Sequence, residues 1–428
     1  IVFALLYTDV SAQSFTSFFT GDTTDIVTTN HLPGTVLAGG GPDSDEAMQW
    51  MLARASGGDV VVLRASGSDG YNDYFFSDLG INVNSVETIR FESSAAAAAP
   101  YVIRRIREAE VLFLAGGDQS VYVDYWRNSP VAEAINFLVS EKRITIGGTS
   151  AGMAILGGAY YAPVNQSLIS EEAVADPYHP NTQGISNESF LHLPYLQNVI
   201  TDTHFENRNR QGRSIVFLAR AAELINGPAL GIACNEATAV CIDETGQAQI
   251  FGSFPDFPDF AFFLQPGCTN TNFGPENMTA GELFDWNRGG RAVSVYRLAG
   301  TPTGENTFNL NDWQNPAGGF WFNWYVAEGT TTFVSPGEAP IDCSPVSTED
   351  LPWPAAHLSP LPAKEWITVS NLPMQLRSCE LFDAQGQKVK RFPVLERRFS
   401  LVGLPDGLYW FRITGENGQS RTWKVLKN

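Results

Sequence analysis

The chain is 428 residues long, 43% apolar and 12% aromatic, more than one ordinary domain and enough for a large buried core. A formal charge of −19 at pH 7 and a pI near 4.6 argue against nucleic acid or an anionic membrane surface as the main partner, and leave a small cationic substrate open. Five cysteines (Cys234, Cys241, Cys268, Cys343, Cys379) are too few for a disulfide scaffold, include no CxxC pair, and do not determine a bridge such as Cys268–Cys343.

The opening IVFALLYTDVSAQSF reads as the closing part of a signal peptide over residues 1–12, with cleavage near Ala12 or Gln13. The competing reading is a buried first strand. No run of eighteen apolar residues follows, so export without a membrane span is expected. From about residue 32, short β-branched runs alternate with helical stretches. TVLAGG (35–40) leads into helical SDEAMQWMLARA (44–55), followed by DVVVLRAS (59–66), VETIRFE (86–92) and helical YVIRRIREAE (101–110). VLFLAGG (111–117) precedes helical SPVAEAINFLVSEK (129–142), and ITIGG (144–148) precedes Ser150. Strand–helix–strand units at this spacing predict an α/β fold, a doubly wound and mostly parallel sheet with helices on both faces. Such sheets bind ligands beyond the carboxyl ends of their strands, and three strands here end in Gly-Gly, which lets backbone approach a ligand closely.

GGTSAG (147–152) contains a GxSxG pattern, Gly148-Ser150-Gly152, after a strand and before the helix-capable AGMAILGGA. This is the context of a nucleophile elbow, in which Ser150 stands on a cramped strand-to-helix turn and the Ala151 amide faces a developing oxyanion. A glycine-rich strand end without chemistry fits the same letters. A serine nucleophile needs a base. Of five histidines, His31 precedes the first strand, His179 lies in a proline-bounded loop, His192 in an apolar stretch and His357 in a proline-rich one. His204 sits just past a strand-like run and beside Arg208, Arg210 and Arg213, three arginines within six residues of an acidic chain. They read either as a solvated helix face or as a carboxylate clamp, since guanidinium forks bind carboxylates bidentately.

After about residue 250 the chain is rich in Phe, Trp, Asn, Gly and Pro, with strand-like pieces such as RAVSVYRLAG (291–300), and is expected to finish the same domain with surface excursions that cover part of the cleft or mediate homodimer pairing. Residues 344–363, with five prolines, read as a linker. Short alternating runs over 364–428 predict a small β-sandwich. That leaves domains at 13–343 and 364–428.

Together AGGDQ (115–119), GGTSAG (147–152) and DTHFENRNRQGR (202–213) resemble the signature segments of the cyanophycinase/dipeptidase E serine peptidases, with a class I glutamine amidotransferase-like fold. The likeness runs over about 32–335, from LAGGG (37–41) to VSVYRLAGTP (293–302). It implies Ser150 as nucleophile, His204 as base, Gly117 and Ala151 as oxyanion donors, and Gln119, Asp202, Arg208, Arg210 and Arg213 as substrate contacts. The triad acid is expected in LISEEAVADPY (168–178), with Glu172 ahead of Glu171 and Asp176. Thr203 departs from the glutamine that relatives carry before the histidine. The implied substrate is cyanophycin, an aspartate backbone bearing arginine side chains, or related β-aspartyl peptides, and no metal or cofactor is expected. An α/β-hydrolase esterase is the rival reading, but its histidine lies near the end of its domain; an amidotransferase wants cysteine at the elbow. The stretch from ITVSNLP through LPDGLYWFRI to the terminal KVLKN resembles the sorting domain read by the type nine secretion system, with the secretion machinery as partner and the cell surface or exterior as destination.

Overall fold

The computed structural model describes residues 13–267, 274–340, 357–360, 362–370, 376–394, 396–415 and 420–428. Residues 1–12, expected to close a signal peptide, and Cys268 and Cys343 lie outside them. The chain divides into two compact units, Ile1–Asp342 and Cys343–Asn428.

Strands of the first unit are, in chain order, β1 (Phe15–Gly21), β2 (Gly34–Ala38), β3 (Asp59–Arg64), β4 (Ser85–Phe91), β5 (Val111–Leu114), β6 (Thr145–Thr149), β7 (Tyr160–Tyr161), β8 (Ile185–Ser186), β9 (Val199–Asp202), β10 (Leu230–Cys234), β11 (Ala239–Asp243), β12 (Gln247–Phe251), β13 (Phe260–Pro266), β14 (Val293–Ala299), β15 (Thr307–Asn309), β16 (Gly319–Ala327) and β17 (Thr330–Val334). Its helices are α1 (Asp45–Ala53), α2 (Gly70–Asp73), α3 (Pro100–Glu108), α4 (Gln119–Trp126), α5 (Pro130–Phe137), α6 (Ala151–Ala154), α7 (Ser170–Ala175) and α8 (Gln211–Ile225). A nine-stranded sheet runs β1–β4–β3–β5–β6–β2–β11–β12–β15. Its core, β4–β3–β5–β6–β2, is parallel, and the flanking strands pair antiparallel.

The continuous apolar strands follow from burial on both faces. On β3, Val60 and Val62 pack with Met48, Met51 and Leu52 of α1, whereas Val61 and Leu63 pack with Val102 and Ile106 of α3 and Ile135 of α5. Helix α1 starts where the Ser44 hydroxyl accepts the Ala47 N–H, with Asp45 and Glu46 in the first turn. Helix α3 opens on Pro100 and closes with Arg105 and Arg107 in its last turn. Of the helical stretch expected after Ser150, only α6 is helix; beyond it the chain bonds to the segment leading into β9 instead, Gly158 N–H to the Leu196 carbonyl at 2.7 Å and Ala159 N–H to the Val199 carbonyl at 3.0 Å.

A second sheet, β17–β16–β14–β13–β10–β9, corrects the expectation of surface excursions after residue 250. Ala261 and Phe263 of β13 join the core of the first sheet, while Phe262 and Leu264 face a second core with Trp286, Trp324 and Phe217 of α8. Both faces of β13 are buried, so no polar alternation marks it, whereas β17 at the sheet edge is largely exposed. In the second unit, β18 (His357–Ser359), β19 (Trp366–Ser370), β20 (Leu376–Phe382), β21 (Lys388–Phe392), β22 (Arg398–Ser400), β23 (Gly407–Gly415) and β24 (Ser420–Lys427) form two antiparallel sheets, β18–β19–β22 and β21–β20–β23–β24. Leu358, Ile367, Phe399, Phe411 and Val425 share their core. Residues 357–359, expected within the linker, are a strand because Leu358 is buried there and β18 pairs with β19.

Phe113 is fully buried under α1 and meets Phe75 edge-on at 5.3 Å between ring centroids. Phe113→Ala is expected to cost about 3–5 kcal/mol, read as a fall in the urea midpoint at unchanged slope.

Candidate active site

Parallel neighbours β2 and β6 end side by side in the first sheet, with Ala38 opposite Thr149. Parallel neighbours β9 and β10 do the same in the second, with Asp202 opposite Ala233. The turn 235–238 carries the chain from β10 across to β11, which pairs with β2. The carboxyl ends of both strand pairs therefore converge, and the chemistry-bearing side chains stand there.

Ser150 follows β6 directly and holds φ +51° and ψ −113°, a conformation that side-chain-bearing residues rarely adopt. Its glycine neighbours are steric necessities: a Cβ on Gly152 would lie 2.0 Å from the Leu114 carbonyl oxygen, and one on Gly148 2.7 Å from the Gly152 carbonyl carbon. Ser150 Oγ lies 2.8 Å from His204 Nε2, and His204 Nδ1 lies 2.6 Å from Glu236 Oε1. His204, also at positive φ (+45°), is buried, and burial pushes its imidazole below the ordinary 6.5. The Glu236 hydrogen bond pulls it back up, while Arg208 and Arg210 push it down. The ring is thus neutral at pH 7, the carboxylate fixes Nδ1 as donor, and Nε2 is left to accept the serine proton.

Glu236 replaces Glu172 as the acid at the histidine. The Glu172 carboxylate instead takes the Asn181 side-chain amide (3.0 Å) and faces the Ile169 N–H at the start of α7. Glu171 receives the Asn209 side chain, and Asp176 caps the backbone of Tyr178 and Gly281. Two asparagines brace the acid's turn against the histidine's. Asn207 Oδ1 accepts the Glu236 N–H (2.9 Å), and Asn235 reaches back to the Glu206 N–H (3.0 Å) and carboxylate (2.9 Å). A signal for Glu236 is present in the sequence: GIACNE places a carboxylate just past the end of a parallel strand, where Ser150 and His204 also stand relative to theirs.

The arginines divide. Arg213 is buried, its guanidinium forked onto both oxygens of Asp202 (Nε to Oδ2, 3.0 Å) with its remaining donor on Ser167 and the Leu168 carbonyl. Asp202 also receives the Ser214 hydroxyl at 2.6 Å. Burial pushes the Asp202 carboxyl up, but Arg213, Arg210 and Ser214 together hold it below the usual range. Neither residue has a free group for a substrate, which corrects both assignments. Arg210 is part-buried and held by the Thr203 carbonyl at 2.6 Å; burial pushes its guanidinium down to about 10. Arg208 is exposed at the rim.

Gln119 opens α4 and donates to the Tyr161 carbonyl at 3.3 Å, behind an Asp118 cap. Gly116, rather than Gly117, faces the serine: a Cβ there would lie 3.5 Å from Ser150 Cβ, whereas one on Gly117 would meet Tyr122 Oη at 2.7 Å. The N–H groups of Gly117 and Ala151 have no acceptor among the described residues, and Ala151 begins a helix. Among those residues no group of three His, Cys, Asp or Glu could hold a metal ion, and no helix is long and apolar enough to cross a membrane.

No family model matches the chain. It is 28% identical over 177 residues to the cyanophycinase of Trichormus variabilis, covering 41% of this chain and 53% of that protein. It is also 28% identical over 231 residues to the cyanophycinase of Synechococcus elongatus, covering 51% and 66%. The chain thus spans about half to two thirds of the length of these curated relatives. Among solved structures it is similar to a peptidase from an acI-B1 actinobacterium (16% identity, 54% of this chain and 93% of that one, TM-score 0.38).

The arginine division is testable by stability alone. Arg213→Ala strands a buried carboxylate and is expected to cost about 3–5 kcal/mol, whereas Arg208→Ala stays within about 0.5 kcal/mol, both read by denaturant titration.

Proposed function

We propose that the chain is a serine peptidase of the cyanophycinase kind, hydrolysing cyanophycin or related β-aspartyl peptides through an acyl-enzyme on Ser150. The observation that carries the reading is the run of bonds from Ser150 to His204 to Glu236, 2.8 and 2.6 Å, on a strained strand-to-helix turn. Ser150 Oγ attacks the amide carbonyl as its proton passes to His204 Nε2. The same proton then goes to the leaving amine, and a water, deprotonated by His204, hydrolyses the ester. Glu236 holds the tautomer and stabilises the imidazolium. The unpaired N–H of Ala151, at the start of α6, receives the oxyanion, and that of Gly117, next to the Gly116 that faces the serine, is the second donor. Arg208 and the free arm of Arg210 take the aspartyl carboxylate, with Gln119 beside them. The similarity to cyanophycinases supports this choice of substrate class. The chain order Ser, His, acid also separates the site from α/β-hydrolase esterases, whose acid precedes the histidine. For its destination we infer export to the cell surface or exterior, on the opening apolar run and the sorting-domain resemblance of residues 364–428.

Purified chain incubated with cyanophycin is expected to release β-aspartyl-arginine, identified by mass, and Ser150→Ala to release none. Hydrolysis restricted to α-linked aspartyl peptides would move the substrate class to ordinary peptides, and hydrolysis of neither would overturn the reading. On whichever substrate is cut, Glu236→Gln is expected to lower kcat by about 10³–10⁴, and Glu172→Gln to leave it near the parent's. Because the base acts when neutral, kcat/KM should rise with pH through a midpoint below 6.5. That midpoint should fall further in Glu236→Gln, which loses the interaction that raises it.

A further inference from the structure

The three residues of the triad reading lie far apart in the chain, yet their segments share one backbone anchor. The carbonyl of Ala38, the last residue of β2, accepts the Ser150 N–H at 3.0 Å. The next carbonyl, of Gly39, accepts the His204 N–H at 2.8 Å, and the next, of Gly40, accepts the Ala237 N–H, adjacent to Glu236, at 2.9 Å. Three consecutive carbonyls thus hold nucleophile, base and acid segments in turn. The loop is pinned to the serine's strand a second time at Asp43, which takes the Thr149 hydroxyl at 2.6 Å and the Tyr71 hydroxyl at 2.7 Å.

Gly40 occupies the narrowest point. Its φ of +99° turns its carbonyl toward Ala237, and its α-carbon faces the reacting pair. A Cβ there would lie 2.5 Å from His204 Cε1, 2.6 Å from Nε2 and 3.0 Å from Ser150 Cβ.

We propose that residues 38–43 are the positioning element of the triad and that Gly40 sets the Ser150–His204 distance, an inference that rests on the serine-peptidase reading. The absent side chain lets imidazole and hydroxyl meet at 2.8 Å, and any substituent must displace the ring by about 1 Å. Displacements of that size cost on the order of 10²-fold in rate. The carboxylate-binding face of Arg208 and Arg210 is untouched, so the loss falls on kcat and not on KM.

The test compares Gly40→Ala with Gly57→Ala, which has a similar φ of +82° but nothing within 4 Å of an added Cβ, and so carries the backbone strain alone. The readout is the rate of Ser150 labelling by a fluorophosphonate, which needs the serine–histidine pair and no substrate recognition. Gly40→Ala is expected to label about 100-fold more slowly than the parent, with a shifted acidic limb and, on a cleaved substrate, unchanged KM. Gly57→Ala should label like the parent. A labelled parent with an equally reactive, folded Gly40→Ala overturns this inference alone; a parent that is not labelled overturns the triad reading and the inference with it. If Gly40→Ala does not fold, Thr149→Val cuts the second tether without changing the side chain's shape. Labelling slowed several-fold at unchanged melting temperature supports the assignment, and parental labelling overturns it.

Discussion

Everything at this site depends on two parallel strand pairs from different sheets ending at one place. β2 and β6 deliver the glycine loop and Ser150, and β9 and β10 deliver His204 and Glu236. Main chain ties the pairs together beneath the reacting side chains: the Gly39 and Gly40 carbonyls accept the His204 and Ala237 N–H groups, while the Ala38 carbonyl holds Ser150 within its own pair. Backbone hydrogen bonds suit this role because their geometry is set by the strands themselves, and they leave the serine, imidazole and carboxylate free to bond one another. Glycine at 40 is the consequence: the backbone comes so near the reacting pair that no β-carbon fits.

Charge is arranged with equal economy. In a chain of net charge −19, the arginines near His204 serve two separate purposes. Arg213 with Asp202 is a buried, bidentate pair that ties α8 to the end of β9 and, through Ser167 and Leu168, to the segment before α7. Arg210 sits between this pair and the open site, desolvated and only partly satisfied, while Arg208 meets solvent. The cationic edge adds to burial, the larger influence, in holding the imidazole below its ordinary value, and it leaves guanidinium donors open to solvent beside the histidine.

Much of this was legible in the letters. The β-branched runs of the parallel sheet, the two glycines flanking Ser150 and the arginines after His204 are local patterns whose physical causes are local: burial on both faces of a strand, a cramped turn, a cluster of like charge. Glu236 is hard to single out because the resemblance points to the stretch just after the nucleophile for the acid, although NEA past the end of an apolar strand carries the same mark as the other two positions. The second sheet is legible only in part, at RAVSVYRLAG (291–300). Its strand β13 is buried along almost its whole length, so it lacks the polar alternation by which an antiparallel strand is read.

By itself, then, the sequence determined the α/β character of the first unit and the cramped glycine turn at Ser150, which follow from periodicity and composition within a few residues, while the resemblance carried by DTHFENRNRQGR picked out His204. Only the tertiary structure decided which carboxylate meets the histidine, which arginines are occupied and why residue 40 is glycine. Those depend on which strand ends come together in space, and contacts between residues 40, 150, 204 and 236 leave no trace in the spacing of any one segment.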